Sequence, residues 1–264
     1  MLEPVETFNF VSTYVLRAEY LVIVILLSLF FAVIRKQSRD ALEILNNLGI
    51  FLIAIALTYA GAGVLWFKVL DFFHSYKLMN MEFNYFTIFI SFVLTDLTFY
   101  LAHRLQHKVD ALWVFHQVHH SSVNYCFSTG VRLPWFGFFY IWIFYVPLVL
   151  IGFSPILILF NRTAILIYQF FIHRPVFKKD TLVGKLFCTP QTHLVHHISS
   201  PQFYNKNFGG VFSVWDRVFG TYHNADGIQD ATFGIVDQPK VRDPFAINFQ
   251  PVILYAKKFS KRVK

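Results

Sequence analysis

Uncharged runs long enough to cross a bilayer decide what this chain can become. A hydrocarbon core of about 30 Å is spanned by roughly 20 apolar helical residues. Residues 20–34, extended by their flanks, form the first such run and stop at the basic string RKQSR. Residues 45–67 form the second and carry no charge; residues 83–101 form the third, interrupted only by Asp96. Residues 133–172 form a longer run broken by GFSP, Gly152 to Pro155, with Arg162 in its second half. Gly and Pro there predict a turn, so the run folds as a full hairpin or a shallow re-entrant one. The chain is 56% hydrophobic and only 14% charged, too oily for an ordinary soluble domain. The expected class is all-α integral membrane, with four to five transmembrane or re-entrant helices.

Lys and Arg set the expected orientation. The net charge is +8, and the basic residues gather at the edges of apolar runs: Arg35 and Lys36; Arg104 with Lys108; Arg174 with Lys178, Lys179 and Lys185; and the tail KKFSKRVK. Such clusters favour the cytoplasmic face. They form no patch interleaved with a nucleic-acid-binding motif, so nucleic acid is not an expected partner. Cys126 and Cys188 stand alone, which indicates neither a disulfide framework nor a thiolate metal site. The acidic start MLEPVETFNF does not read as a cleavable signal. Residues 1–264 read as one unit: membrane helices over about 18–172, histidine motifs at 103–120, and a cytoplasmic, partly helical cap over 173–264. This orientation puts every histidine but His74 and His223 at one membrane edge: His74 falls in an outer loop, and His223 lies in the cap.

Three strings then stand out: HRLQH (His103, His107), HQVHH (His116, His119, His120) and HLVHH (His193, His196, His197). With 11 histidines in 264 residues, a chance His-x-x-His-His is expected about 0.02 times, so two of them need a cause. On a helix, positions i, i+3 and i+4 share a face, so each string projects two or three imidazoles together. Imidazole is the commonest metal-ligand side chain. His173, at the end of the last apolar run in YQFFIHR, joins the same edge as a ninth candidate. Nine nitrogens exceed what one ion takes, so two ions with four or five ligands each are expected. Glu-x-x-His is absent, unlike in soluble di-iron carboxylate bundles, and His-Glu-x-x-His is absent, unlike in zincins.

Other residues are candidates for supporting work. Asp96 precedes His103 by seven positions, two turns up the same face, and an intramembrane carboxylate is costly enough to need a role. It is expected to accept the outer N–H of a ligand histidine. Asn207 and Asp216 are weaker candidates for the same task. Gln169, four residues before His173, is placed to reach the site or hydrogen-bond a ligand. His74 and His223 read as ordinary hydrogen-bonded histidines. The aromatic run at 134–145 reads first as lipid-facing helix and second as the lining of a lipid path.

The strings DLTFYLAHRLQH, WVFHQVHHSSVNYCFSTGVR, YQFFIHR, HLVHH and NKNFGGVFSVWDRVFGTY together resemble the fatty acid hydroxylase/sterol desaturase superfamily of membrane di-iron oxygenases. The resemblance covers about half the chain. The HHSS…YxxST…R stretch and the WDRVFGTY ending are most similar to the alkylglycerol monooxygenase and bacterial sterol-desaturase-like branch. It implies a cytoplasmic centre of two Fe ions held by His103, His107, His116, His119, His120, His173, His193, His196 and His197. It also implies an external reductant, either an electron-transfer protein or a tetrahydropterin. The implied activity is hydroxylation or desaturation of a lipid drawn from the bilayer (a sterol, ether lipid or fatty acyl chain) in a bacterial inner membrane or the endoplasmic reticulum. Relatives often carry a further histidine where this chain has Gln169. The rival reading is a metal-binding membrane protein or metal transporter without catalysis. It fits less well, because transport needs ionisable residues through the membrane depth and these ligands sit at one edge. A His-based hydrolase lacks a G-x-S-x-G motif.

Overall fold

The computed structural model describes residues 41–179, 181–236, 241 and 243–262. The expected span at 20–34 lies outside the described residues. Helix α1 (Ala41–Leu57) passes through a wide π-turn, Thr58–Ala62, into α2 (Gly63–His74). Gly61 makes that turn with φ of 126°, a value L side chains rarely adopt. The pair covers 34 residues, about 51 Å at 1.5 Å per residue, well beyond a hydrocarbon core. The start of α1, with Glu43 and Asn47, therefore projects past the apolar layer.

Asn84 caps α3 (Tyr85–Lys108) by accepting from the Thr87 N–H at 2.9 Å. Val109, at φ −105° and ψ 113°, breaks the helix, and α4 (Asp110–His120) departs at once. This one-residue joint brings His103 and His107 against the histidines of α4. Only 22% of the most apolar window of α1–α2 and 28% of that of α3 is buried. The rest, including Phe72, Phe86 and Phe89, faces outward, as lipid contact requires.

The long run at 133–172 is a hairpin with unequal arms. Its first arm is not one helix. Short 3-10 turns at Phe127–Val131, Trp135–Phe139 and Ile141–Tyr145 lead into α5 (Val146–Ile151), bent by 86° overall. Pro134, Gly137 and Pro147 interrupt an aromatic stretch of modest helix propensity, which accounts for the break. The second arm, α6 (Pro155–Ile172), is a regular helix packed on α3 and tied to it by Asn161 Nδ2 donating to Ser91 Oγ at 2.9 Å. Among the described residues, three helices are long and apolar enough to cross a membrane, or four if the bent arm counts as one span.

The cap adds α7 (Pro190–His197), α8 (Val214–Val218) and α9 (Pro244–Arg262). Thr189 starts α7 with a reciprocal cap to Thr192. Among the described residues the only β pairing is isolated bridges, so the chain is all-α.

The hairpin turn depends on Gly152. Its φ is +130°, and an added Cβ would collide with the Met79 carbonyl oxygen. Gly152→Ala is expected to cost about 2 kcal/mol or more, read as a lowered thermal midpoint in detergent. Gly137→Ala is the control, since its Cβ would meet only the Pro134 ring at 3.7 Å.

A candidate dimetal centre

The ends of four helices meet beneath the apolar layer. From them His103, His107, His116, His120 and His196 form one group, and His119, His173, His193 and His197 a second; within each, the ligand nitrogens lie within 4.8 Å of one another. All nine expected histidines are present, divided five and four. The division explains the doubled His-x-x-His-His. In α4 the i, i+4 pair His116 and His120 serves the first group and His119 the second. In α7 the assignment reverses: His193 and His197 serve the second group and His196 the first.

The nitrogens are arranged for cations. His120 and His196 bring their Nε2 atoms to 3.1 Å. In the second group His119–His173, His173–His193 and His193–His197 bring theirs to 3.1, 2.9 and 3.2 Å. Two nitrogens bound at right angles to one ion, with bonds of about 2.1 Å, lie about 3.0 Å apart. The Nε2 atoms of His103, His107 and His116 are buried without a hydrogen-bond partner, a costly state that a cation relieves.

Four of the rings are held from outside by backbone carbonyls, whereas His193 Nδ1 is buried without a hydrogen-bond partner. His103 Nδ1 lies 2.9 Å from the Phe208 oxygen, His196 Nδ1 2.8 Å from that of Lys206, and His173 Nδ1 2.5 Å from that of Gln169. His119 hydrogen-bonds the backbone of Arg132. An Nδ1–H donated outward leaves the Nε2 lone pair facing the centre. Burial, reinforced by neighbouring rings, holds His116, His119, His120, His193, His196 and His197 well below the usual imidazole range. Burial likewise brings His173 down to about 4. Neutral imidazole is the ligating form.

Asp96 does not do what its spacing suggests. Its carboxylate accepts from the Val211 N–H at 2.6 Å, the Phe212 N–H at 3.1 Å and the Trp215 indole at 2.9 Å, and no hydrogen bond joins it to a histidine. A carboxylate buried in a span needs several donors, and the cap supplies three. Gln169 is also directed elsewhere: its Nε2 donates to the Gly209 and Gly210 carbonyls at 3.1 and 2.5 Å. Asn207 joins the Thr192 carbonyl to the His223 backbone, every bond at 2.8 Å. Asp216 accepts from the Phe208 and Gly209 N–H groups at 2.7 and 2.8 Å. These four side chains grip one irregular segment, 206–212, whose carbonyls orient His103 and His196. Gly210 lets that segment press on Asp96, because a Cβ there would collide with Asp96 Oδ1.

His74 ends α2, and the half-buried His223 bonds the Asn224 carbonyl at 2.7 Å; neither joins a group. The aromatic run divides: Trp135 is buried and donates to the Ile50 carbonyl at 2.9 Å, whereas Phe139 is 74% exposed. Sequence reasoning missed Tyr125. Its ring lies between His197 at 4.9 Å and Phe233 at 5.1 Å, and its buried hydroxyl has no hydrogen-bond partner. The signal was its place in HHSS…YxxST…R.

If segment 206–212 orients the five-histidine group, loosening it weakens metal retention there. Asp96→Asn is expected to lower metal affinity about 10-fold or more, the scale for outer hydrogen bonds at metal sites. Metal content after graded chelation, with helicity checked by circular dichroism, measures it.

Comparison with known proteins follows the same pattern. A fatty acid hydroxylase family profile matches residues 87–221, half of the chain. Human (Homo sapiens) alkylglycerol monooxygenase is 30% identical over 207 residues, covering 74% of this chain and 46% of that protein. The Danio rerio alkylglycerol monooxygenase is 38% identical over 136 residues, 52% of this chain and 30% of that protein. Ornithine lipid hydroxylase OlsE of Rhizobium tropici is 29% identical over 152 residues, 57% of this chain and 46% of that protein. The chain spans less than half the length of these relatives. No solved structure gives a significant match. The matched segment runs from Thr87, the third residue of α3, through α7 to Thr221 and contains all nine clustered histidines, and on that basis the chain belongs to the fatty acid hydroxylase family.

Proposed function

We propose that the protein is a membrane di-iron oxygenase that hydroxylates a lipid. The observation that carries this reading is the five-and-four convergence of neutral, outward-anchored imidazoles. Iron bound there would supply activation of dioxygen and removal of hydrogen from an unactivated C–H bond. The balance is a C–H bond, dioxygen, two electrons and two protons giving an alcohol and water. The electrons come from an external donor, an electron-transfer protein or a tetrahydropterin. The relatives include sterol desaturases at 25% and 28% identity, but the more similar ones are alkylglycerol monooxygenases and an ornithine lipid hydroxylase by name, which supports hydroxylation ahead of desaturation and an alkylglycerol or ornithine lipid ahead of a sterol.

The chain's own groups do the rest. Nine histidines would hold the ions, and carbonyls of Lys206, Phe208 and Gln169 keep ring nitrogens aimed. Only His107 and His119, one per group, are not fully buried. Small reactants reach the centre past these rings, and Trp113 walls the first at 5.0 Å from His107. The lipid reaches the site along the outward apolar faces of α2, α3 and α6. Lys and Arg clustering supports a centre on the cytoplasmic side.

Transport is the weaker reading. Within the spans Asp96 is consumed by three donors, and the Arg162 guanidinium sits 4.8 Å over the Trp66 ring. Among the described residues these two therefore supply no free ionisable group deep in the spans, where transport needs them. The detergent-purified protein is expected to hold two iron ions per chain. It should consume dioxygen when given reductant and lipid, with isotopically heavy dioxygen appearing in a lipid hydroxyl. Iron that crosses sealed vesicles while dioxygen and lipid stay unchanged would reverse the assignment. His196→Ala is expected to lose iron from the five-histidine group and about 100-fold or more of the oxygen uptake.

A further inference from the structure

The HHSS…YxxST…R stretch has a role that the histidines do not absorb. Its last residue, Arg132, is 2% exposed, though it carries a full charge. Each arm of the guanidinium is used. Nε donates to the Val118 carbonyl at 2.9 Å, Nη2 to Ser121 Oγ at 2.8 Å, and Nη1 to Asn47 Oδ1 at 2.6 Å. Glu43 faces Nη1 at 3.5 Å, and its Oε1 also accepts from Ser122 Oγ at 2.7 Å and the Val123 N–H at 3.1 Å. Asn47 Nδ2 donates to Ser128 Oγ at 2.9 Å. The first turns of α1 thus hold both ends of the segment joining α4 to the bent arm.

That segment touches the four-histidine group at three rings. The Arg132 backbone bonds the His119 ring. Gly130 packs so tightly on His173 that an added Cβ would lie 3.1 Å from its ring. Tyr125 covers His197 at 4.9 Å. The five-histidine group has a different anchor, the 206–212 segment that bonds His103 and His196.

Resting on the di-iron reading above, we propose that the buried Glu43–Arg132 pair is a positioning strut for the four-histidine metal site specifically. Arg132 anchors segment 122–132 between α1 and the Val118 carbonyl and Ser121, and so sets where that segment's contacts to His119, His173 and His197 lie. Glu43 and Asn47 fix Arg132. Four partners in three directions suit a planar guanidinium and not the point charge of a lysine.

The test is metal occupancy resolved by site. The 264-residue chain is loaded with iron in detergent, its iron content measured, and its Mössbauer spectrum recorded. The parent is expected to show two ions per chain and two iron environments. Arg132→Lys and Arg132→Met are expected to retain about one ion and one environment, with the five-histidine signal unchanged. Glu43→Gln keeps an acceptor for Ser122 and Val123 but withdraws the charge. It is the milder variant, used if the Arg132 variants do not fold, and is expected to weaken the second ion about tenfold on titration with chelator. A merely structural role would lose both environments in parallel with thermal stability, and that result overturns the proposal. So does an Arg132→Lys variant with both environments intact. A parent that takes up no metal would instead sink the oxygenase reading itself.

Discussion

Everything in this protein turns on gathering nine imidazoles, seven of them buried, into one centre. A buried ring nitrogen without a partner is expensive, and here three Nε2 atoms have none while the others face one another at 2.9–3.2 Å. The chain accepts that arrangement only because the rings are locked from outside. Where carbonyl oxygens take the Nδ1–H groups, each such ring has one productive orientation. Burial keeps the rings uncharged, so the cluster does not repel itself at neutral pH. The same conditions that make the apo cluster costly make it a strong cation site, because ligand geometry is set before the ion arrives.

The scaffold then works as two clamps. On one side Asp96, Gln169, Asn207 and Asp216 hold an irregular cap segment whose carbonyls face His103 and His196. On the other, Glu43, Asn47 and Arg132 hold the segment under His119 and His173. Both clamps are charged or polar, and both are fully enclosed. Each spends a buried carboxylate on backbone N–H groups, a use that fixes loops more firmly than apolar packing alone because the bonds are directional.

Much of this was legible in the sequence. Uncharged runs marked α3, α6 and the body of α1–α2, and the strings of histidine marked the centre, because helical spacing converts i, i+3, i+4 into one face. The five-and-four division was legible only as a count; which ring belongs to which group depends on how α4 and α7 face each other. Asp96 misled because seven residues do share a face with His103, yet that face also meets the cap, whose N–H groups reach the carboxylate first. The outer partners of the histidines could not be read, since they are main-chain carbonyls, and every residue has one. Arg132 and Glu43 lie 89 positions apart, beyond any local pattern. The first arm of the hairpin looked helical by hydropathy, but Pro134, Gly137 and Pro147 broke it into short turns.

The doubled motif also explains why the two halves of the centre are bound together. If α4 served one ion and α7 the other, the two could separate on a hinge between the helices. Here each helix supplies a pair to one group and a single ring to the other, in opposite sense. Moving either helix would strain both groups at once. That interlock suits chemistry that needs two ions at a fixed separation in a dry site. It suits poorly a carrier, which must open its ligand shell to release its cargo. The separate clamps then allow each group to be tuned through its own outer contacts without disturbing the spacing that the interlock preserves.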